Sequence, residues 1–170
     1  MQFDAFATRL LDCAVLGMGE LDASGNVNVS KLGGTPVGPG GFIDIVHGAK
    51  KVVFCGTFST KGLSVVVTET GLKIEREGSI IKVVDQVEQI TFAASAARKD
   101  GRKAIYITER AVFELTETGI SLIEIAPGID PTNDVINHLP KGIDTSNWKL
   151  MATDIFKKTY ELSASRSVAR

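Results

Sequence analysis

The residues best suited to chemistry form the run Gly38-Pro39-Gly40-Gly41, entered from a polar loop and followed by Phe42-Ile43-Asp44. Glycines lack a Cβ, so a ligand or a developing oxyanion can come within hydrogen-bond reach of main-chain N–H groups. The same run also reads as a sharp turn joining two elements, and both readings stand at this level. It does not match the dinucleotide fingerprint G-x-G-x-x-G, and no buried strand leads directly into it. A second polar cluster runs from Asp22 to Ser30, with Asn26 and Asn28 at alternate positions of a short strand and therefore on one face. Asn26 suits a turn; Asn28 has less structural reason to be there. At Thr108-Glu109-Arg110 a charged pair stands between two apolar runs. It is either a solvated strand end or a carboxylate held at the mouth of a sheet, where ligands gather in open α/β folds.

Other chemistries find little support. His47 and His138 are the only histidines, and no Cys, Asp or Glu cluster around either has metal-ligand spacing, so no metal site is expected. Cys13 and Cys55 lie inside apolar runs and read as small buried hydrophobes of a reducing compartment rather than nucleophiles.

The elements that must position these residues follow from pattern and punctuation. Leu10 to Leu16 is a short apolar run read as a buried strand, and Val27-Asn28-Val29 a second short strand after the turn Ala23 to Asn26. Gly33-Gly34 through Gly41 reads as a loop belonging to no regular element. Phe42 to His47 suits a short helix or turn, and Lys51 to Phe58 is the clearest buried strand, with Val53 inside it. Hairpins are predicted for Leu63–Thr68 with Leu72–Glu77, and for Val112–Thr116 with Ile120–Ile125, each around a Glu-Thr-Gly turn. Val87 to Phe92 and Lys103 to Thr108 read as strands, and Ala93 to Lys99 as a helix. Asp130-Pro131 starts a capped helix that runs to about Leu139. Trp148, Met151, Ile155 and Phe156 have helical spacing, which predicts a helix from Asn147 to Leu162, with a fraying end from Ser163 to Arg170. The domain reading is thus 1–139 followed by a helical tail, 140–170.

Composition bounds the function. The 170 residues fit one domain, with 44% hydrophobic and 23% charged residues and mean hydropathy +0.12. Nineteen basic against 20 acidic residues leave a net charge of -1, which disfavours broad binding to nucleic acid or anionic membranes. No stretch approaches the roughly 18 apolar residues of a membrane helix. Asp4, Arg9 and Asp12 break up the start of the chain, so neither a targeting signal nor a membrane partner is expected, and a cytoplasmic location is.

Five segments, in order, carry a family resemblance: Leu16 to Ser30 (LGMGELDASGNVNVS), Gly38 to Ile45 (GPGGFIDI), Lys50 to Phe58 (KKVVFCGTF), Ile107 to Thr116 (ITERAVFELT) and Ile123 to Asp130 (IEIAPGID). Together they resemble the family I CoA-transferases, in particular the short-chain acyl-CoA:acetate and propionate group. The likeness runs from about Phe3 to Leu139 and corresponds to the later part of the family's C-terminal, or β-subunit, domain. It implies an open α/β fold, with helices flanking a mainly parallel sheet that carries β-hairpins. It also implies ping-pong transfer of CoA between a short-chain acyl-CoA and a carboxylic acid through a glutamyl-CoA intermediate, with coenzyme A as substrate and no bound cofactor.

Carried over residue by residue, Gly41 matches the family glycine whose amide helps form the oxyanion hole. Asn28 matches an active-site asparagine, and Glu109 a glutamate supporting the catalytic carboxylate. Gly38, Gly40, Lys50 and Lys51 are the expected CoA-binding residues. The family's nucleophilic glutamate lies in a glycine-containing loop upstream of the segment matching Gly25 to Ser30, and no Glu-x-Gly or Glu-Asn-Gly element precedes it here. Glu20 stands where relatives commonly have Gln, at the wrong point of the motif for that role. The expectation is therefore that a partner, an N-terminal domain or α-subunit, supplies the nucleophile. A sheet edge left open would also favour a homo-oligomer or an obligate partner, with Trp148 to Phe156 as a contact. The alternative is a non-catalytic CoA-binding or scaffold domain; an unrelated nucleotide-binding α/β domain is disfavoured by the missing fingerprint.

Overall fold

The computed structural model describes residues 11–157. In chain order the elements are β1 (Leu11–Gly17), β2 (Glu20–Asp22), β3 (Val27–Asn28), β4 (Lys31–Leu32), β5 (Thr35–Pro36), α1 (Phe42–Gly48), β6 (Ala49–Cys55), β7 (Ser59–Thr60), β8 (Ser64–Thr68) and β9 (Gly71–Arg76). They continue with β10 (Ile80–Ile81), β11 (Val83–Val84), α2 (Ala94–Lys99), β12 (Lys103–Ile107), β13 (Ala111–Leu115), β14 (Ile120–Ile125) and β15 (Lys149–Leu150). The main sheet has the order β1-β6-β12-β13-β14-β15. β1, β6 and β12 run parallel, β13 is antiparallel to β12 and β14, and β15 pairs parallel with β14. The architecture is α/β, as expected, with a mixed sheet whose parallel half carries the helices.

Alternation decides what the sheet buries. Val52 and Phe54 of β6, Ala104 and Tyr106 of β12 and Ala14 of β1 point to one face and are buried there. On that face Phe54 stacks between Phe42 of α1 and Tyr106, at centroid distances of 5.9 and 5.5 Å, with Phe92 edge-on at 4.9 Å. The other face is differently furnished. The hairpin β8–β9 and the segment Met151–Phe156 gather around Ile107 and Val112, whereas Cys13, Val15 and Cys55 are exposed and Val53 is half-buried.

Several expectations are corrected by this layering. The runs containing Cys13 and Cys55 form strands, but both thiols are exposed, because an apolar run does not reveal whether both faces of its strand are covered. The same reason makes Val52 and Phe54, not Val53, the buried residues of β6. Gly33-Gly34 forms a tight hairpin turn between β4 and β5; both glycines have positive φ (58° and 80°), which a two-residue turn of matching twist demands. Residues 87–92 form no strand; Phe92 makes only an isolated bridge to Val27. The predicted helix from Asn147 gives way to β15 and a single 3₁₀ turn, Thr153–Phe156; its continuation to Leu162 lies outside the described residues. Pairing with β14 wins over helical periodicity there: Met151 N–H donates to the Ile125 carbonyl at 2.9 Å, and Lys149 lies 3.4 Å from Glu124. The helix after Asp130 is replaced by a five-residue π-turn and a 3₁₀ turn, although Asp130 caps it as expected, accepting from the N–H groups of Thr132 and Asn133.

Candidate active site

Because β1, β6 and β12 are parallel, their carboxyl ends lie side by side, the place where open α/β sheets present ligands. The ladder continues past the strand ends: Met18 N–H donates to the Cys55 carbonyl and Gly56 N–H to the Ile107 carbonyl, both at 3.0 Å. α1 returns antiparallel to β6, so its N-terminus, Gly41-Phe42, stands over the same end. Between this turn and Leu16–Gly19 is an open pocket of about 520 Å³, lined by Gly38, Pro39, Gly41 and Phe42 on one side. Gly38 and Gly40 have φ of 83° and 53°, and a Cβ on either would meet nothing within 4 Å. The loop is thus glycine-rich for backbone shape and open approach, not for packing. Among the described residues, no hydrogen bond uses the N–H of Gly40 or Gly41.

Asn28 explains how this loop is held. It is fully buried, its Nδ2 donates to Glu20 Oε2 at 2.7 Å and to the Lys31 carbonyl, and its Oδ1 accepts from Ser30 and Lys31 N–H at 3.0 and 3.1 Å. An amide side chain has two donors and two acceptor sites, so none is left for a substrate. Instead it fixes Ser30, whose carbonyl accepts from Val37 and Gly38 N–H at 2.8 and 3.1 Å at the entrance of the glycine loop. Glu20 Oε2 accepts a second bond, from Glu88 N–H at 2.9 Å.

Glu109 follows β12 at the same sheet end. Its carboxylate accepts from Phe58 N–H at 2.8 Å and from Arg110 Nε at 2.7 Å. The solvated strand end is corrected here: the Arg110 side chain is fully buried. Its guanidinium lies 4.8 Å from the Phe58 ring centre, donates to both oxygens of Glu77 at 2.6 and 3.1 Å, and reaches the Asp134 carbonyl at 3.1 Å. Ser59 adds a hydroxyl bond to Glu77. Burial pushes the Glu77 carboxyl up, but the Arg110 and Ser59 hydrogen bonds outweigh it and hold the group at about 2.

Lys50 and Lys51 are placed elsewhere. They open β6, whose seven residues span about 20 Å, so they lie at the opposite end of the sheet from the glycine loop. Lys50 pairs with Asp12 at 2.8 Å between exposed side chains. A lysine that does reach the carboxyl ends is Lys82, half-buried, with Nζ donating to the Met18 carbonyl at 2.9 Å. Burial pushes its ammonium below the ordinary lysine range, and the charge of Glu109 opposes this. Its mark in the sequence is a single charge inside the apolar run Ile80-Ile81-Lys82-Val83-Val84, a signal not used above. Glu77 and Ser59, from the hairpin region, carried no comparable signal. Among the described residues no group of three or more His, Cys, Asp or Glu could hold a metal, and no helix is long and apolar enough to cross a membrane.

No family model matches the chain. It is 43% identical over 138 residues to the acetate CoA-transferase YdiF of Escherichia coli K12, an alignment covering 81% of this chain and 26% of that protein. It is 42% identical over 142 residues to the caffeate CoA-transferase of Acetobacterium woodii, covering 81% of this chain and 27% of that one. The chain thus spans about a quarter of the length of the curated relatives it matches. Among solved structures, the acyl-CoA transferase YdiF apoenzyme of E. coli O157:H7 superposes with a TM-score of 0.89 at 39% identity, over 93% of this chain and 31% of that chain. Glutaconate coenzyme A-transferase of Acidaminococcus fermentans shares the fold, with a TM-score of 0.59 at 15% identity over 83% of this chain and 53% of its own.

Proposed function

We propose that this chain, whose sequence and fold are those of a segment of the family I CoA-transferases, is the C-terminal portion of such an enzyme and receives the thioester carbonyl of a short-chain acyl-CoA at its glycine loop. The observation that carries the reading is the uncommitted amide pair of Gly40 and Gly41 beside an open pocket at the carboxyl ends of β1, β6 and β12. A glutamate carboxylate attacks the thioester carbon, and the developing oxyanion takes a hydrogen bond from Gly41 N–H. The tetrahedral intermediate collapses with CoA thiolate leaving, which gives an acyl-glutamyl anhydride. The thiolate then attacks the glutamyl carbonyl, releasing the acyl carboxylate and leaving a glutamyl-CoA thioester. An incoming carboxylic acid, as its carboxylate, reverses these steps and departs as the new acyl-CoA; no proton or redox partner is needed.

The nucleophile in this scheme comes from a segment other than these residues. Supporting this, Glu20 and Glu109 each accept two hydrogen bonds from the protein, which holds them as structural and supporting carboxylates. β1 is an outer strand among the described residues, an edge to which another segment can add.

The test is CoA exchange between an acyl-CoA and acetate, measured for these 170 residues alone and together with a family segment that carries the glutamate nucleophile. Transfer should require both, and mass spectrometry should find CoA on a glutamate of that segment. Full transfer by the 170 residues alone, with CoA on Glu20 or Glu109, would overturn the assignment.

A further inference from the structure

Gly56 has no conformational reason to be glycine, since its φ lies outside the left-handed region. Its reason is spatial. A Cβ there would meet the Lys82 ammonium nitrogen at 3.1 Å, Met18 Cγ at 3.0 Å and the Met18 carbonyl oxygen at 3.2 Å. The missing side chain thus makes room for a lysine laid across the end of β6, with its head on the carbonyl that follows β1. Lys82 is also held from behind: its N–H donates to the Phe58 carbonyl and its carbonyl accepts from Leu21 N–H, both at 2.9 Å. Phe58 is in turn the residue whose N–H binds Glu109. The ammonium is therefore bonded to the carbonyl after β1 and seated against Gly56 after β6, on the side where Glu109 follows β12.

Met18 and its neighbours Gly17 and Gly19 form the wall of the pocket that faces the glycine loop. We propose that Lys82, seated over Gly56, is a positioning residue for CoA transfer, fixing the Met18 wall at the distance from Gly41 that aligns the thioester for attack. The inference rests on the transferase reading and adds to it a residue that never touches the reacting atoms. Misplacement of a reacting group by a fraction of an ångström lowers the rate of the chemical step while leaving most binding contacts intact.

The experiment uses the assembled, active enzyme. Lys82→Met and Gly56→Ala are each expected to lower kcat roughly tenfold, with KM for acyl-CoA within twofold and the fold retained by circular dichroism. Lys82→Arg should recover part of the loss. Because both act through one contact, the double variant should be no slower than the slower single one. Wild-type kcat in Lys82→Met, a rise in KM alone, or multiplying effects in the double variant would overturn the positioning role. An inactive wild-type assembly would instead overturn the transferase reading on which it stands.

Discussion

Replacing Arg110 by Met tests whether the Glu77–Arg110–Glu109 network is the lock that holds the β12 end. The side chain is fully buried, so the change leaves two carboxylates facing an apolar group of similar length. Removing one partner of a buried ion pair ordinarily costs about 3–5 kcal/mol. Glu109 keeps 15% exposure, but Glu77 keeps 34% and can rehydrate, so the lower end, about 3 kcal/mol, is expected. For a chain of this size that corresponds to a melting point lower by roughly 6–12 °C at pH 7. The effect also has a pH signature. The Glu77 carboxyl is held at about 2 in the folded protein against its ordinary 4.5, so its contribution is complete above 4.5 and is lost as pH falls from there through 2. Melting curves followed by circular dichroism between pH 7 and pH 2 should show the gap between wild type and Arg110→Met narrowing as pH falls through that window. Equal melting points at pH 7, or a gap that stays constant down to pH 2, would refute the reasoning.

The two faces of β6 predict opposite outcomes for neighbouring residues. Val52→Asp buries an unpaired charge and should destabilise by about 3–5 kcal/mol, whereas Val53→Asp should change stability by less than about 1 kcal/mol; denaturant unfolding distinguishes them. Gly71 has φ of 155° and stands against Pro127, where an added Cβ would come within 2.6 Å of the carbonyl carbon and nearer still to its oxygen. Gly71→Ala must separate the hairpin β8–β9 from that loop and break the 2.8 Å bond from Leu72 N–H to Pro127, a loss of roughly 2–4 kcal/mol that thermal melts would register.

Local punctuation made much of the fold legible. The turns Glu69-Thr70-Gly71 and Glu117-Thr118-Gly119 place both hairpins, and Asp130 caps its turn as its type and position require. What pattern could not convey was which strand faces are covered. Cys13, Val53 and Cys55 lie in runs as apolar as any core strand, and only the layering of helices and hairpin decides their exposure. The tail misled for a related reason, since Trp148 and Met151 have helical spacing but the open edge of β14 claims the intervening residues. At the site, the glycine loop and Glu109 were visible from residue types. Asn28 was visible as unusual, but its role depends on four hydrogen bonds, three of them to main-chain groups of the turn it shapes. The Arg110 network was hidden because Glu77, far away in sequence, turns a strand-end charge into a buried one.

The proposed donor to the thioester oxygen is the Gly41 amide, and a proline substitution at that one position tests it. Gly41 has φ of -80°, within the range proline adopts, so Gly41→Pro removes that N–H while Gly41→Ala keeps it. In the assembled enzyme, CoA transfer from an acyl-CoA to acetate should fall by about 10²–10³-fold in Gly41→Pro and far less in Gly41→Ala, with both variants folded. Transfer by folded Gly41→Pro at the rate of Gly41→Ala would contradict it.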